Sequence, residues 1–295
     1  MPLPRIFTIL LAVAALLLAV RGAADDVPAT PQERAQVAAP ALNEPPPPLQ
    51  ILAVDEPPMS FIDGSGVVVG LGIEALRELQ RRTWNNDPVH LVPEARAWQA
   101  AATEPRVVLI GFSRTREREE QFHWVVPLMR KPWVVYGPPG STRSLPDVES
   151  LRALGSIAVV SGDVRQRWLA SREFTNLWPA VDHDQAVGML LAGRADALFS
   201  EPQGVAWYCK LRGCLRGVPV PLLVAKRSEV YILMSRNGID EQTALRWKAA
   251  GAAMIADGTI AALARRWGEY LQWNTGVRSQ FHRGLLEICV SERDC

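Results

Sequence analysis

The chain has 295 residues, 48% of them hydrophobic and 21% charged, an ordinary globular composition with length for one large domain or two lobes. The formal net charge is +1, and there is no zinc-finger spacing, basic stripe or aromatic-basic interleaving. Nucleic-acid binding is therefore excluded as the default function.

Residues 1–24 read as a secretory leader. Arg5 supplies the positive start, Ile6 to Val20 the apolar core, and Gly22-Ala23-Ala24 the small residues at a cleavage point. The apolar core is short for a membrane span and ends at Arg21. No cysteine lies near the cleavage point, so a lipid anchor is not indicated. Cleavage removes Arg5 and Arg21 and no acid, leaving 30 basic against 31 acidic residues. Residues 25–48, rich in Ala and Pro, read as an extended spacer.

Folded sequence begins near Leu49. Ile51–Val54 predicts a buried strand, Asp55–Phe61 a proline-containing loop at its end, and Asp63–Gly66 a turn. Gly70–Thr83 predicts a helix, with Ile73, Leu76 and Leu79 on one face. His90–Val92 predicts a strand and Glu94–Ala102 a short helix carrying Arg96 and Trp98.

Val107–Ile110 predicts a third strand that runs into GFSRTREREEQFHWVVP, Gly111 to Pro127. There Ser113, Thr115, Arg114, Arg116 and Arg118 crowd a strand end beside Glu117, Glu119 and Glu120. An arginine just past a strand end suits a carboxylate, because its planar fork meets two oxygens at once and keeps its charge. The plainer reading of the same run is a solvated face.

After Trp133–Tyr136, Gly137–Gly140 reads as a connection to a second α/β unit. Leu145–Leu154 predicts a helix and Ser156–Val160 a strand. The Ser161-Gly162-Asp163 turn opens a helix through Trp168, with Asp163 as N-cap and free N–H groups that could receive an anion. Asp184–Arg194 predicts a helix and Asp196–Phe199 a strand, with Glu201 directly after it. Val218–Met234 predicts a long extended crossing, and Asp240–Gly268 one broken or two successive helices. Residues 269–295 show no clear periodicity. Strands alternating with helices define open α/β sheets, in which ligands bind beyond the C-terminal strand ends.

Four cysteines, an even number in an exported chain, point to disulfides. Cys209–Cys214 and Cys289–Cys295, each closing a small local loop, are the favoured pairs; a staple from the tail to the Cys209–Cys214 segment is the alternative. The four histidines do not cluster with the cysteines, so no metal or other cofactor is expected.

Two sequential α/β units, with a return to the first, describe a two-lobed binding protein. Five stretches then carry a family resemblance: ILAVDEPPMSFIDGSGVVVGLGIEAL, SRTREREEQFHWVVPL, AVVSGDVRQRWL, AVGMLLAGRADALFSE and AGAAMIADGTIAALARRW. From Ile51 to Gly268 the chain resembles the bacterial extracellular solute-binding proteins of family 3, periplasmic receptors for polar amino acids that serve ABC importers. VPEARAW also resembles a subgroup with "PWxRA" at this position.

The resemblance implies a type II periplasmic-binding-protein fold, two open α/β lobes joined by two crossing strands and closing on a ligand. Lobe one would span 49–136 and 226–268, lobe two 137–225, with a cysteine-containing tail at 269–295. Arg118 falls on the arginine that pairs with a ligand α-carboxylate, Ser113 on a contact beside it, and Glu201 on the acid that accepts from the ligand ammonium. Glu56 stands where many members place an aromatic clamp, and Asp163 with Val164 replaces the usual Ser-Thr. These extra acids point to a cationic or polyhydroxylated ligand at least as readily as to an α-amino acid. Arg96 is a further cleft candidate. The implied partners are a small polar ligand and an inner-membrane ABC permease, with the protein acting as a monomer without catalytic activity. The alternatives are an accessory or sensing module that docks on a membrane or redox partner, and a dehydratase-like enzyme using Glu201 as general acid.

Overall fold

A computed structural model describes residues 47–215, 217–291 and 295; the expected leader and the spacer to residue 46 lie outside the described residues. β1 (Gln50–Ala53) leads through the proline loop to a hairpin, β2 (Phe61–Ile62) and β3 (Val68–Val69), and then to α1 (Leu71–Thr83). β4 (Val89–Leu91), α2 (Glu94–Thr103) and β5 (Val107–Ser113) follow. A short 3-10 turn, Arg116–Arg118, precedes β6 (Phe122–Gly137). The second unit holds β7 (Ile157–Val160), α3 (Val164–Ala170), β8 (Leu177–Ala180), α4 (His183–Leu191), β9 (Ala197–Ser200) and α5 (Pro202–Arg212). β10 (Val220–Ser235) returns, followed by α6 (Glu241–Ala256), α7 (Thr259–Thr275), β11 (Ser279–His282) and β12 (Leu285–Ile288).

The sheet order is β4-β1-β5-β10-β6-β9-β7-β8. β4, β1 and β5 are parallel, as are β8, β7 and β9. Between these halves β6 and β10, each of 16 residues, pair antiparallel from Phe122↔Ser235 to Gly137↔Val220. One end of β10 pairs with β5 and the other end of β6 pairs with β9, so these two strands cross between the lobes. This is the two-lobed α/β architecture the sequence implied.

Alternation along the strands builds a core on each sheet face. Val108 and Ile110 pack with Ile73, Leu76, Trp247 and Met254, while Val107 and Leu109 pack with Trp98 and Phe122 on the opposite face. Around β7 and β9, Trp133 and Val135 at the end of the crossing strand β6 face Leu151 and Phe199, and Val134 and Tyr136 face Val187 and Leu190. Full burial of each such side chain contributes about 1.5–3 kcal/mol.

Three expectations are corrected. Leu145–Leu154 is not a helix: only Glu149–Ala153 forms a 3-10 turn, with Asp147 Oδ1 accepting from the Ser150 N–H just ahead of it. The last helix does not stop near Gly268 but runs to Thr275, and the tail beyond it is a hairpin, β11–β12. Gly268 is there for space, since a Cβ on it would lie 2.8 Å from Ser279 Oγ and 3.0 Å from Leu286 Cδ1. The hairpin turns through Arg283 and Gly284, both at positive φ, and buries Leu286 and Ile288 in the first core. The disulfides take the favoured local pairing, Cys209–Cys214 and Cys289–Cys295.

β5 is shaped for the site it feeds. Its pairing with β10 shifts register so that Gly111 is the extra residue between Ile110 and Phe112. Gly111 sits at φ 87°, and a Cβ there would lie 2.5 Å from Met59 Cγ. Gly111→Ala is therefore expected to cost at least ~1–3 kcal/mol in urea unfolding, whereas Gly64→Ala, with nothing within 4 Å of its added Cβ, should be near neutral.

Candidate functional site

The loop after β1, the end of β5 and the starts of α3, α4 and α5 all meet at the C-terminal strand ends. The lobes are in contact there. Gly162, at φ 81°, passes so close to α2 that an added Cβ would lie 2.8 Å from Ala95 Cα. Tyr208 of α5 donates from its hydroxyl to the Asp55 carbonyl at 3.3 Å.

Arg118 is buried at the end of the 3-10 turn. Its Nη1 donates to the Ser113 carbonyl at 3.1 Å, and its guanidinium lies 3.6 Å from the centre of the Trp98 ring. Nη2 is buried without a hydrogen-bond partner among the described residues. Burial pulls the Arg118 pKa down to about 10, so it stays charged at neutral pH. The Ser113 hydroxyl is 3.0 Å from Ser228 Oγ on β10, which accepts from Trp133 Nε1 at 2.8 Å.

Asp163 caps α3, accepting from the Arg165 backbone N–H at 2.6 Å. The same carboxylate takes the Arg165 side chain, with Nε at 2.7 Å from Oδ1. Arg165 is 2% exposed, and its Nη1 reaches across to an ion pair with Glu201. Glu201, fully buried, precedes Pro202 at the start of α5, but its carboxylate makes no cap bond. Gly204 leaves it room: a Cβ there would sit 3.0 Å from Glu201 Oε1. Lys131 of β6 adds a second cation, donating to Glu56 and lying 3.7 Å from Glu201 Oε2. His183 Nδ1 is 4.0 Å from Glu201 Oε1.

The structure thus gathers Arg118, Ser113, Glu201, Asp163 and Glu56 from the expected set. Arg96 is not with them. It lies on the exposed face of α2 and pairs with Glu104 at 2.6 Å. Two residues earlier on that helix, half a turn round, Glu94 is buried in the cluster. Sequence reading missed Glu94, Lys131, Arg165 and His183. The one usable signal was Arg165 two residues after a cap aspartate.

Electrostatics differ sharply among the acids. Burial pushes the Glu94 carboxyl well above its ordinary range, and Asp163 and Glu56 push the same way. Burial also opposes ionisation of Asp163, but Arg165 and His183 hold it well below the usual range. At Glu56 the burial effect is likewise overcome, by Lys131, His183 and Arg165. Burial lowers the His183 pKa, against the opposing pull of Glu56 and Asp163. Glu56, His183 and Glu201, and again Glu94, Asp163 and His183, bring possible metal-donor atoms within 4.8 Å of one another. Arg165 and Lys131 already neutralise these acids, so a metal ion would compete with two resident cations. The void ringed by Glu56, Glu94, Ser113, Arg118, Lys131 and Asp163 measures ≈10 Å³, about one water.

The fold and this interlobe cluster define a type II periplasmic-binding protein. The family profile of the bacterial extracellular solute-binding proteins, family 3, matches residues 50–270, and the chain belongs to that family. Solved structures agree on the fold. A histidine kinase sensor domain similar to periplasmic binding proteins aligns at 18% identity and TM-score 0.65, covering 74% of this chain and 95% of that one. A mutant of ArgBP from T. maritima aligns at 18% and 0.64, covering 74% and 94%. An ancestral arginine-binding protein bound to arginine aligns at 20% and 0.63, covering 76% and 99%. No curated protein matches.

The acids make opposite pH predictions. Glu94, with its pKa raised, lets the folded chain hold a proton that the unfolded chain releases near pH 4.5, so its contribution is lost as pH rises above that value. Asp163, with its pKa depressed, contributes above its ordinary 3.8 and loses that contribution as pH falls further. Thermal unfolding of Glu94→Gln at pH 5 and pH 8 should show the variant gaining on the wild type as pH rises.

Proposed function

We propose that the chain is an exported, monomeric periplasmic solute-binding protein that closes two lobes over a small polar solute and delivers it to an ABC-type permease. Lobe one is drawn from 49–136 and 226–268 and lobe two from 137–225. We assign it no catalytic role. The observation that carries the reading is a guanidinium enclosed by acids from both lobes. Arg165 pairs with Asp163 and Glu201 on one side, and Glu56, bonded to Lys131, and Glu94 act on its charge from the other. A cage that holds a guanidinium selects for cationic solutes, because a buried charge is tolerated only when paired. The arginine-bound state of one structural relative supports the same ligand class.

In this reading Arg165 is the resident occupant, and a solute must take its place. A second reading rests on the same filled centre and on the likeness to a sensor domain. In it the cleft is permanently latched by its own side chains, and the protein serves as an accessory or sensing module.

Arg165→Ala separates them. Removing one partner of a buried ion pair should cost about 3–5 kcal/mol. Arginine, lysine or putrescine should then raise the variant's melting temperature, by the equivalent of ~2.7 kcal/mol at one hundred times Kd, and should do so more than in the wild type. If no cationic solute shifts either protein, solute capture fails and the latched module stands.

A further inference from the structure

The family profile ends at residue 270, before the hairpin β11–β12 begins. The hairpin nevertheless has a specific seat. β10 occupies one edge of β6 along its whole length, from Phe122 to Gly137. The other edge of β6 carries two different partners: β12 at Met129 and Arg130, and β9 at Val134 to Tyr136. Only residues 131–133 separate them. The hairpin thus lies beside the crossing strands, where β6 leaves one half of the sheet for the other.

Its contacts reach both halves. Leu286 and Ile288 are buried in the core that β1 and β5 share with α1, α6 and α7. Glu287, 5% exposed, meets Arg130 of β6 at 3.4 Å and Arg227 of β10 at 3.5 Å, so one buried carboxylate spans both crossing strands. Arg227 Nη1 also donates to the Ile288 carbonyl at 3.3 Å. Just beyond β12, Val290 packs against the other core, that of Tyr136, Val187, Leu190 and Tyr208. There Cys289, Val290 and Ser291 face Tyr136, Pro202 and Val205 across a cavity of ≈380 Å³.

These contacts respond differently to lobe opening. Rotation of the β7–β9 half about residues 131–133 leaves Leu286 and Ile288 in their core but carries the partners of Val290 away. Parting apolar surfaces returns them to water, at a cost proportional to the area. Bending β6 against β10 also strains the arginine pair around Glu287, and a buried carboxylate is costly once its partners leave.

We propose that the tail hairpin is a strap across the crossing strands that restrains opening of the lobes. Glu287 fastens it to β6 and β10, and Val290 is its hold on the far lobe. It acts beside the acid cage of the cleft and rests neither on solute capture nor on Arg165.

Lys131 supplies the readout. Its amine lies in the closed cleft, 3% exposed and paired with Glu56, and an acetylating ester reaches it when the lobes part. Arg130 and Lys131 are successive on β6, so strap and reporter lie on opposite faces of the strand. Lys210, Lys226 and Lys248, all less buried, are references in the same chain. Acetylation rates at each lysine of the ligand-free mature chain are measured by mass spectrometry. Val290→Asp should raise the rate at Lys131 at least about fivefold, as loss of part of one side chain's burial would, with Lys210 and Lys248 unchanged. Glu287→Gln, which keeps the shape and removes the charge, should raise it about threefold or more. An unchanged Lys131 rate in Val290→Asp, or a rise shared equally by Lys248, would overturn the proposal, because the tail would then support the fold without restraining the lobes. If Val290→Asp misfolds, Glu287→Gln decides on the same criterion.

Discussion

A guanidinium held among carboxylates is the constraint on which the closed cleft depends. Arg165 is fully buried, as are Asp163 and Glu201, and none of the three could sit there alone. Desolvating a single such charge costs several kcal/mol, and only close pairing offsets it. Asp163 orients Arg165 from the same helix turn, and Glu201 meets it from the start of α5. Lys131 ties the same network to Glu56 on the opposite lobe. The result is a cleft centre with room for about one water.

The fold delivers these groups by ordinary means. Parallel strands end together, so the loops after β1, β5, β7 and β9 share one rim. The crossing strands β6 and β10 bring Lys131 and Ser228 between the lobes, and the bulge at Gly111 seats the turn that carries Arg118. Where the lobes touch, Gly162 permits a backbone approach that a side chain would block.

Much of this was legible in the sequence. The short apolar runs at Ile51, Val107 and Ser156 are strands because both of their faces are buried, and the threefold spacing of α1 marks its core face. Glu201 was found because it directly follows a strand, and Asp163 because it caps the helix that opens after the next turn. What was missed needed tertiary context. The sequence reading placed only Trp133–Tyr136 in an extended stretch, whereas β6 begins at Phe122 and passes through Pro127, where the register against β10 shifts, and Pro132. Gly268 read as a helix end but is a packing contact with the tail hairpin. Lys131 and Arg165 lie inside regular elements, where pattern reading expects surface charge, and only the meeting of two lobes buries them. Arg96 was named as a cleft candidate and Glu94 was not considered, though helical phase puts them on opposite faces.

The central claim is that the buried charge cluster around Arg165 holds the lobes together without any added solute, Arg165 pairing with Asp163 and Glu201 of one lobe while Lys131 links Glu201 to Glu56 of the other. Small-angle X-ray scattering of the ligand-free mature protein and of Arg165→Ala measures this most directly. The account predicts that the wild type scatters as the closed form and that the variant has a larger radius of gyration. A ligand-free wild type already as open as the variant, or a variant as closed as the wild type, would contradict it.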